Sequence, residues 1–425
     1  MDIDKKKTIS LIMVTISIIM IIIGVSMFII NNGSKNSNGG GNIKPDNPHN
    51  PNDIVYDGFT YSFLKLENDN KNLVYSPLSI KYALSMLGEG ANEKTKEEID
   101  KLIKELTLTK YSNIDNVLSL ANSTFIRNSY KEYVKEEYIN SLKEKYNAEV
   151  IYDEFKDARN VNNWIEEKTF NIIKNMLSDD LVQNKEVEML LINALAIDME
   201  WKSKFENSDT RSRPFTKIDN EKIDVAIMHK VTEDKNIKYY QDTSYSVLSL
   251  PLKEYEDTSL EFDVIMPEKN FKEFIENDSL SNNVDDLLSK IHSVDNEELS
   301  ISLPLFDFEY KTSLKEDLEK LGIVDAFSPN ADFTNMSDKP LKVDDVLHKA
   351  NIKVSEKGVK AAAATVIIMK DNAALITEPK EIKYLNFNKP FMFVIRDTKT
   401  NEVWFVGAVF EPTLWENVKE NYEYR

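Results

Sequence analysis

Any hydrolytic chemistry in this chain would need a nucleophile, a base and an acid. The sequence supplies the types but not the spacings. There is no G-x-S-x-G elbow, no H-E-x-x-H zinc helix and no P-loop. A Ser/His/Asp triad can be drawn from residues far apart in sequence, but no nucleophile motif accompanies His348. That residue sits in L-K-V-D-D-V-L-H-K-A, which reads as a structural histidine bonded inside a sheet. Asp344 and Asp345 are adjacent, so on a strand they point to opposite faces and make a poor acid–base pair. The acidic run from Glu93 to Asp100 reads as a solvated helix face. The absence of cysteine removes thiolate nucleophiles, disulfides and cysteine-held metals. Four histidines (His49, His229, His292, His348) leave little for a His-rich metal site. The chain reads as no enzyme, with no cofactor and no metal.

The rest of the chain is organised around the stretch from Val354 to Leu375, V-S-E-K-G-V-K-A-A-A-A-T-V-I-I-M-K-D-N-A-A-L. Read at period two, one face carries Val359, Ala361, Ala363, Thr365, Ile367 and Met369. None is charged, whereas Lys360 and Lys370 fall on the other face. That pattern lets a strand bury one face. The leading Gly358 and the small residues Ala361 to Ala364 also suit an exposed loop. A segment able to be either is a candidate switch. Alanine-rich helix over Lys357 to Ala364 is the competing reading; the β-branched run Val366 to Ile368 and the missing C-cap signal argue against a long helix.

The elements that must hold this stretch fill a chain of 425 residues, long enough for a large core. Apolar content of 41% and charged content of 29% fit a globular protein. A net charge of −19 argues against a nucleic-acid partner. Asp57 to Leu66 and Ser79 to Leu87 carry helical apolar spacing, and Ala158 to Ser178 reads as a helix. Leu314 to Leu321 reads as a helix closed by Gly322. Strands are expected at Leu120 to Arg127, Leu190 to Ile197, Tyr239 to Pro251, Leu260 to Pro267, Phe391 to Arg396 and Glu402 to Phe410. Without regular βαβ alternation, the class is α+β.

Ahead of this, Thr8 to Ile30 is an uncharged run of 23 residues, spanning ~34 Å as a helix, enough to cross a bilayer. It lacks the shorter apolar core and small-residue cleavage site of a signal peptide. Lys5, Lys6 and Lys7 precede it, so residues 1–7 are expected in the cytoplasm. The expected organisation is a single-pass signal anchor at 8–30, a flexible Asn/Gly/Pro linker at 31–53 reaching roughly 26 Å, and an extracellular globular domain at 54–425. A monomer on the cell membrane is expected.

The globular part resembles the serpin family. The carrying residues are D-L-E-K-L-G-I-V-D-A-F-S (317–328), A-D-F-T-N-M-S (331–337), V-L-H-K-A (346–350) and E-K-G-V-K-A-A-A-A-T (356–365). To these add F-N-K-P-F-M-F-V-I-R-D (387–397) and F-V-G-A-V-F-E-P (405–412). Earlier blocks are N-L-V-Y-S-P-L-S-I (72–80), L-A-N-S-T-F (120–125) and L-I-N-A-L-A-I-D-M-E-W-K-S-K-F (191–205). The resemblance runs from Ile54 to about Pro412 and omits the anchor, the linker and the tail. It implies three β-sheets, eight or nine helices and an exposed reactive loop, here about 356–380. It also implies that a serine protease, or sometimes a cysteine protease, is trapped covalently when the cut loop enters the main sheet.

By resemblance, the hinge is Glu356, Gly358, Val359, Ala361, Ala362, Ala363, Ala364 and Thr365. Its uncharged character is of the inhibitory type, and the N-terminal run suggests a prokaryotic, membrane-anchored member. Ser76, Ser79, Asn122, Asn193 and His348 correspond to the buried polar cluster where the sheet opens, and Trp201 to the tryptophan near the top of that opening. Family spacing places the reactive bond at Asn372-Ala373, with Met369, Lys370 and Leu375 as alternatives, because the portion before Phe387 is longer than usual. With Ala, Met and Leu around that bond, an elastase- or subtilisin-like target is expected. Lys357 and Val359 stand where the family often has Glu and Thr or Ser, and Asn171 where it often has Gly. The alternative function is a non-inhibitory surface binding module or scaffold.

Overall fold

The computed structural model describes residues 59–103, 111–256, 258–295, 297–359 and 381–423. Among the described residues the strands run, in chain order, β1 (Leu73–Tyr75), β2 (Leu118–Arg127), β3 (Glu149–Asp153), β4 (Met189–Ile197), β5 (Met199–Glu200), β6 (Arg211–Thr216) and β7 (Lys222–Thr232). Then come β8 (Lys238–Gln241), β9 (Tyr245–Pro251), β10 (Leu260–Pro267), β11 (His292–Ser293), β12 (Glu297–Pro304) and β13 (Phe306–Ser313). The last five are β14 (Leu347–Ser355), β15 (Gly358–Val359), β16 (Glu381–Asn386), β17 (Phe391–Asp397) and β18 (Val403–Val409). Among the described residues, ten α-helical segments accompany them, four of only four to six residues. The expected α+β class is observed.

Four hydrogen-bonded sheets form among the described residues, not the three expected. Their orders are β1-β18-β17-β10-β9-β8-β11, β16-β12-β7-β6, β13-β14-β15-β5 and β3-β2-β4. The reason is local. β4 and β14 are not bonded to each other, so two groups of strands face one another across a slot. The two-residue strand β15, with β5 following β4, joins them at one end.

The helix Pro77–Gly90 shows how sequence sets the frame. Ser76 caps it by accepting the Ser79 N–H at 3.0 Å, and Pro77 occupies the first turn, where its missing N–H costs nothing. Leu78, Ile80, Leu84 and Met86 are fully buried. Around the helix lies one large core in which Phe262, Phe306 and Phe393 pack ring to ring; the Phe262–Phe393 pair stacks at 5.5 Å and 15°. Gly407 is required there, because a Cβ would stand 2.3 Å from the Phe393 ring.

Two expected elements are shorter than their sequence patterns. The helix from Ala158 stops at Lys168 rather than running to Ser178. Phe170 and Asn171 turn left-handed, at φ 52° and 60°, and the Asn171 N–H caps Glu166 at 2.8 Å. Ile173 and Leu177 still reach the smaller core beneath this helix, through a turn instead. The expected strand from Tyr239 to Pro251 is two strands, because Asp242 accepts the N–H groups of Ser244 and Tyr245, both at 2.7 Å, and reverses the chain.

Candidate functional site

β4 is hydrogen-bonded to β2 along one edge, and β14 to β13 along one edge. Their facing edges line a cleft of about 800 Å³, floored by Ser76, Ser79, Ile80, Leu84 and Phe405. At its head, β15 lies antiparallel to both neighbours. Gly358 pairs with Glu200 and Ser355; Val359 pairs with Met199 and Val354. Val359 is buried, at 1% exposure. Gly358 is needed for close approach, since a Cβ would meet the Met199 carbonyl oxygen and the Glu200 backbone.

Alternate residues of β14 face the main core: His348, Ala350, Ile352 and Val354 are buried while their neighbours are partly exposed. On β4, Leu195 and Ile197 face the same core, and Ile192 and Ala194 face the smaller one. The cleft therefore has one apolar side directed inward.

Ser76, Ser79, Asn122, Asn193 and His348, named from the resemblance, form one hydrogen-bonded cluster; all but the half-buried Asn193 are buried, and all but Asn122 line the cleft. The Ser76 N–H donates to His348 Nε2 at 3.1 Å. The Ser79 hydroxyl donates to Asn193 Oδ1. Asn193 Nδ2 donates to Asn122 Oδ1 at 2.8 Å, and Asn122 Nδ2 to the Tyr146 carbonyl at 2.9 Å. That carbonyl ends the helix Glu136–Tyr146, where Asn147 turns left-handed at φ 51°; Asn122 thus satisfies a group the helix leaves over. Burial pushes the His348 pKa down to about 4, so the ring is neutral and accepts the Ser76 proton. No acid–base partner faces it among the hydrogen bonds of this cluster, and the arrangement joins elements rather than activating a nucleophile.

Trp201 stands apart from that cluster, at the head of the cleft. Its indole N–H donates to the Ser355 carbonyl at 2.8 Å, and its backbone N–H to the Lys357 carbonyl at 2.9 Å. Glu356, also at the head, is buried at 4% exposure. Its Oε1 accepts the hydroxyls of Thr210 at 2.6 Å and Tyr422 at 2.7 Å. Sequence reasoning missed both partners. Thr210 carries no local signal. For the tail, the spacing of Trp415, Val418 and Tyr422 is that of a helix face, and all three pack against the core. Asp344 lines the cleft wall and Asp345 accepts from Ser313 and Val346, so the two do not act as a pair.

Glu356, Gly358 and Val359 are thus at the cleft head. Ala361, Ala362, Ala363, Ala364, Thr365 and the bond Asn372-Ala373 lie outside the described residues, as do the alternatives Met369, Lys370 and Leu375, the run 8–30 and the linker 31–53.

Comparison with known proteins bears on this architecture. A family model described as "Serpin (serine protease inhibitor)" matches residues 59–412. An uncharacterized serpin-like protein of Methanosarcina mazei is 30% identical over 381 residues, covering 85% of this chain and 86% of the relative. Neuroserpin of Gallus gallus is 29% identical over 402 residues, covering 85% and 92%. The thermophilic serpin tengpin in its native state superposes with a TM-score of 0.69 at 26% identity, covering 87% of this chain and 96% of that one. Its latent state gives 0.68 at 25% identity, covering 87% and 100%. A strand already started between two separated halves of a sheet, and a family match across almost all of the described chain, lead to one assignment: the chain belongs to the serpin family, whose members are generally protease inhibitors rather than enzymes.

Proposed function

We propose that this protein is an extracellular, membrane-tethered suicide inhibitor of serine proteases of subtilisin- or elastase-like specificity, with cysteine proteases as a second target class. The single observation that carries the reading is β15. Two hinge residues already occupy the start of a new strand, in the register and direction that further insertion needs.

If β15 grew in that register on insertion, Ala361 would come between Ile197 and Ile352, Ala363 between Leu195 and Ala350, and Thr365 between Asn193 and His348. Every odd hinge position then faces the inward, apolar side of the cleft, except Thr365, which meets the polar cluster with a hydroxyl. Each residue added would pair on both edges, removing two exposed strand edges. A charge on that face would cost several kcal/mol, and residues 359 to 369 place none there.

The protease nucleophile attacks the Asn372 carbonyl. The bond to Ala373 breaks, and the Ala373 amine takes the proton and leaves. An acyl link to Asn372 remains. Asn372 lies thirteen residue steps beyond Val359, so full insertion carries the attached protease roughly 43 Å along the sheet at ~3.3 Å per residue. The apolar run Thr8 to Ile30 behind Lys5, Lys6 and Lys7 supports a single-pass anchor with this domain outside the cell.

Incubation with subtilisin and with elastase tests the reading. An SDS-resistant adduct is expected, and mass spectrometry of the released fragment is expected to begin at Ala373. Clean cleavage with no adduct across a broad protease panel would favour a non-inhibitory binding module instead.

A further inference from the structure

The chain beyond residue 412, where the family match ends, is fastened to the molecule and reaches the hinge. The Ala226 N–H donates to the Thr413 carbonyl at 3.0 Å, and the Thr413 N–H to the Leu305 carbonyl at 2.9 Å. Leu414 bridges to Val225. The Trp415 ring stacks on Tyr422 at 5.5 Å and 25°, which aims the Tyr422 hydroxyl at Glu356 Oε1, 2.7 Å away.

Glu356 and Lys357 make the turn that reverses the chain between β14 and β15. Any further residue entering the cleft does so below this turn, so the turn must hold its shape while the strand grows. The Glu356 carbonyl is fixed by the Phe205 N–H at 3.0 Å, and its buried carboxylate by two hydroxyls. Both hydroxyls converge on the same oxygen, Oε1, of this buried side chain. Thr210 supplies one of them from within the family-matched region, and the tail supplies the other.

We propose that Tyr422 is a positioning residue for inhibition. Through Glu356 it holds the β14–β15 turn in the conformation that seeds insertion. It thereby sets how often a cut loop enters the sheet before water attacks the acyl carbonyl, releasing the loop carboxylate and the free protease hydroxyl. Those two rates compete, so a modest change in the first shows directly in the products. The proposal rests on the inhibitory reading above.

The test uses the full chain with subtilisin and two readouts: the ratio of SDS-resistant adduct to cleaved product, and the time course with which the nicked chain acquires heat resistance. Tyr422→Phe removes one hydroxyl and keeps the stacked ring. Thr210→Val removes the other hydroxyl, and Thr210→Ser retains it. Tyr422→Phe and Thr210→Val are each expected to lower the ratio and slow the time course by about fivefold, the loss of one hydrogen bond at a rate-deciding step. Thr210→Ser should match wild type, and the final heat resistance of all nicked forms should be the same, which a merely structural role would lower. A Tyr422→Phe protein with wild-type ratio and time course overturns the proposal. If wild type gives no adduct, the inhibitory reading fails, and the time course alone decides: equal rates in wild type and Tyr422→Phe overturn this inference as well. A nicked wild type that gains no heat resistance overturns both.

Discussion

A Cβ placed on Gly358 would stand 2.2 Å from the carbonyl oxygen of Met199 and 2.6 Å from Cα of Glu200. The contact is with backbone, so no side chain can rotate away to relieve it. Gly358→Ala therefore pushes β15 off β5. The expected outcome is a less stable intact protein by about 1–3 kcal/mol and slower loop insertion, read as a lower melting temperature and a smaller adduct fraction. An unchanged melting temperature would show that β15 is not held against Met199.

Val359 is the first hinge side chain on the inward face, packed in the main core. Val359→Arg places a charge where no partner awaits it, at a cost of several kcal/mol. The hinge is expected to leave the cleft and the protein to become a substrate. Adduct should disappear, while loop cleavage proceeds at the wild-type rate. Equal adduct yields would contradict entry by the β15 register.

Much of this arrangement was legible in the sequence, and the failures have physical causes. The family resemblance carried by the blocks 72–80, 120–125, 191–205 and 346–350 pointed to Ser76, Ser79, Asn122, Asn193 and His348 as one cluster, and of these only His348 could be read as structural from its own surroundings. The hinge pattern from Val359 onward reads as a strand with one buried face, and of that face only Val359 lies among the described residues, where it is buried. What sequence could not show was partnership across long separations. Nothing local links Thr210 or Tyr422 to Glu356, and the division of the main sheet depends on which strand edges stay apart. The helix beyond Lys168 was overextended because Ile172, Ile173 and Leu177 keep an apolar rhythm that a left-handed turn at Asn171 delivers equally well. The strand through residues 242–244 was overextended for a similar reason, since Asp242 as a turn acceptor is legible only once its chain neighbours fold back.

The floor of the cleft titrates. Burial holds the His348 pKa at about 4, below its ordinary value near 6.5. The unfolded chain thus binds more protons between pH 6.5 and 4. The neutral ring's contribution is full above that window and is lost as pH falls through it, by about 3 kcal/mol. Asp317 works in the opposite direction: burial and the neighbouring Glu67 raise its pKa to about 7, so its contribution is lost as pH rises from 4 to 7. The difference between wild type and His348→Gln removes the Asp317 part. That stability difference, from urea unfolding, is expected to shift by about 3 kcal/mol between pH 7 and pH 4, in favour of the variant at low pH. A difference independent of pH would mean that His348 is not buried in its neutral form.

The proposed trap depends on stored free energy: among the described residues, the facing edges of β4 and β14 carry no ladder partner below Val359, and the hinge enters the cleft between them. Melting the protein before and after a single cut between residues 366 and 380 measures that store directly. The intact domain is expected to melt at an ordinary temperature and the nicked one tens of degrees higher, as the added strand gains both ladders and the inward apolar contacts. An equal or lower melting temperature after cutting would contradict insertion, and with it the proposed trap.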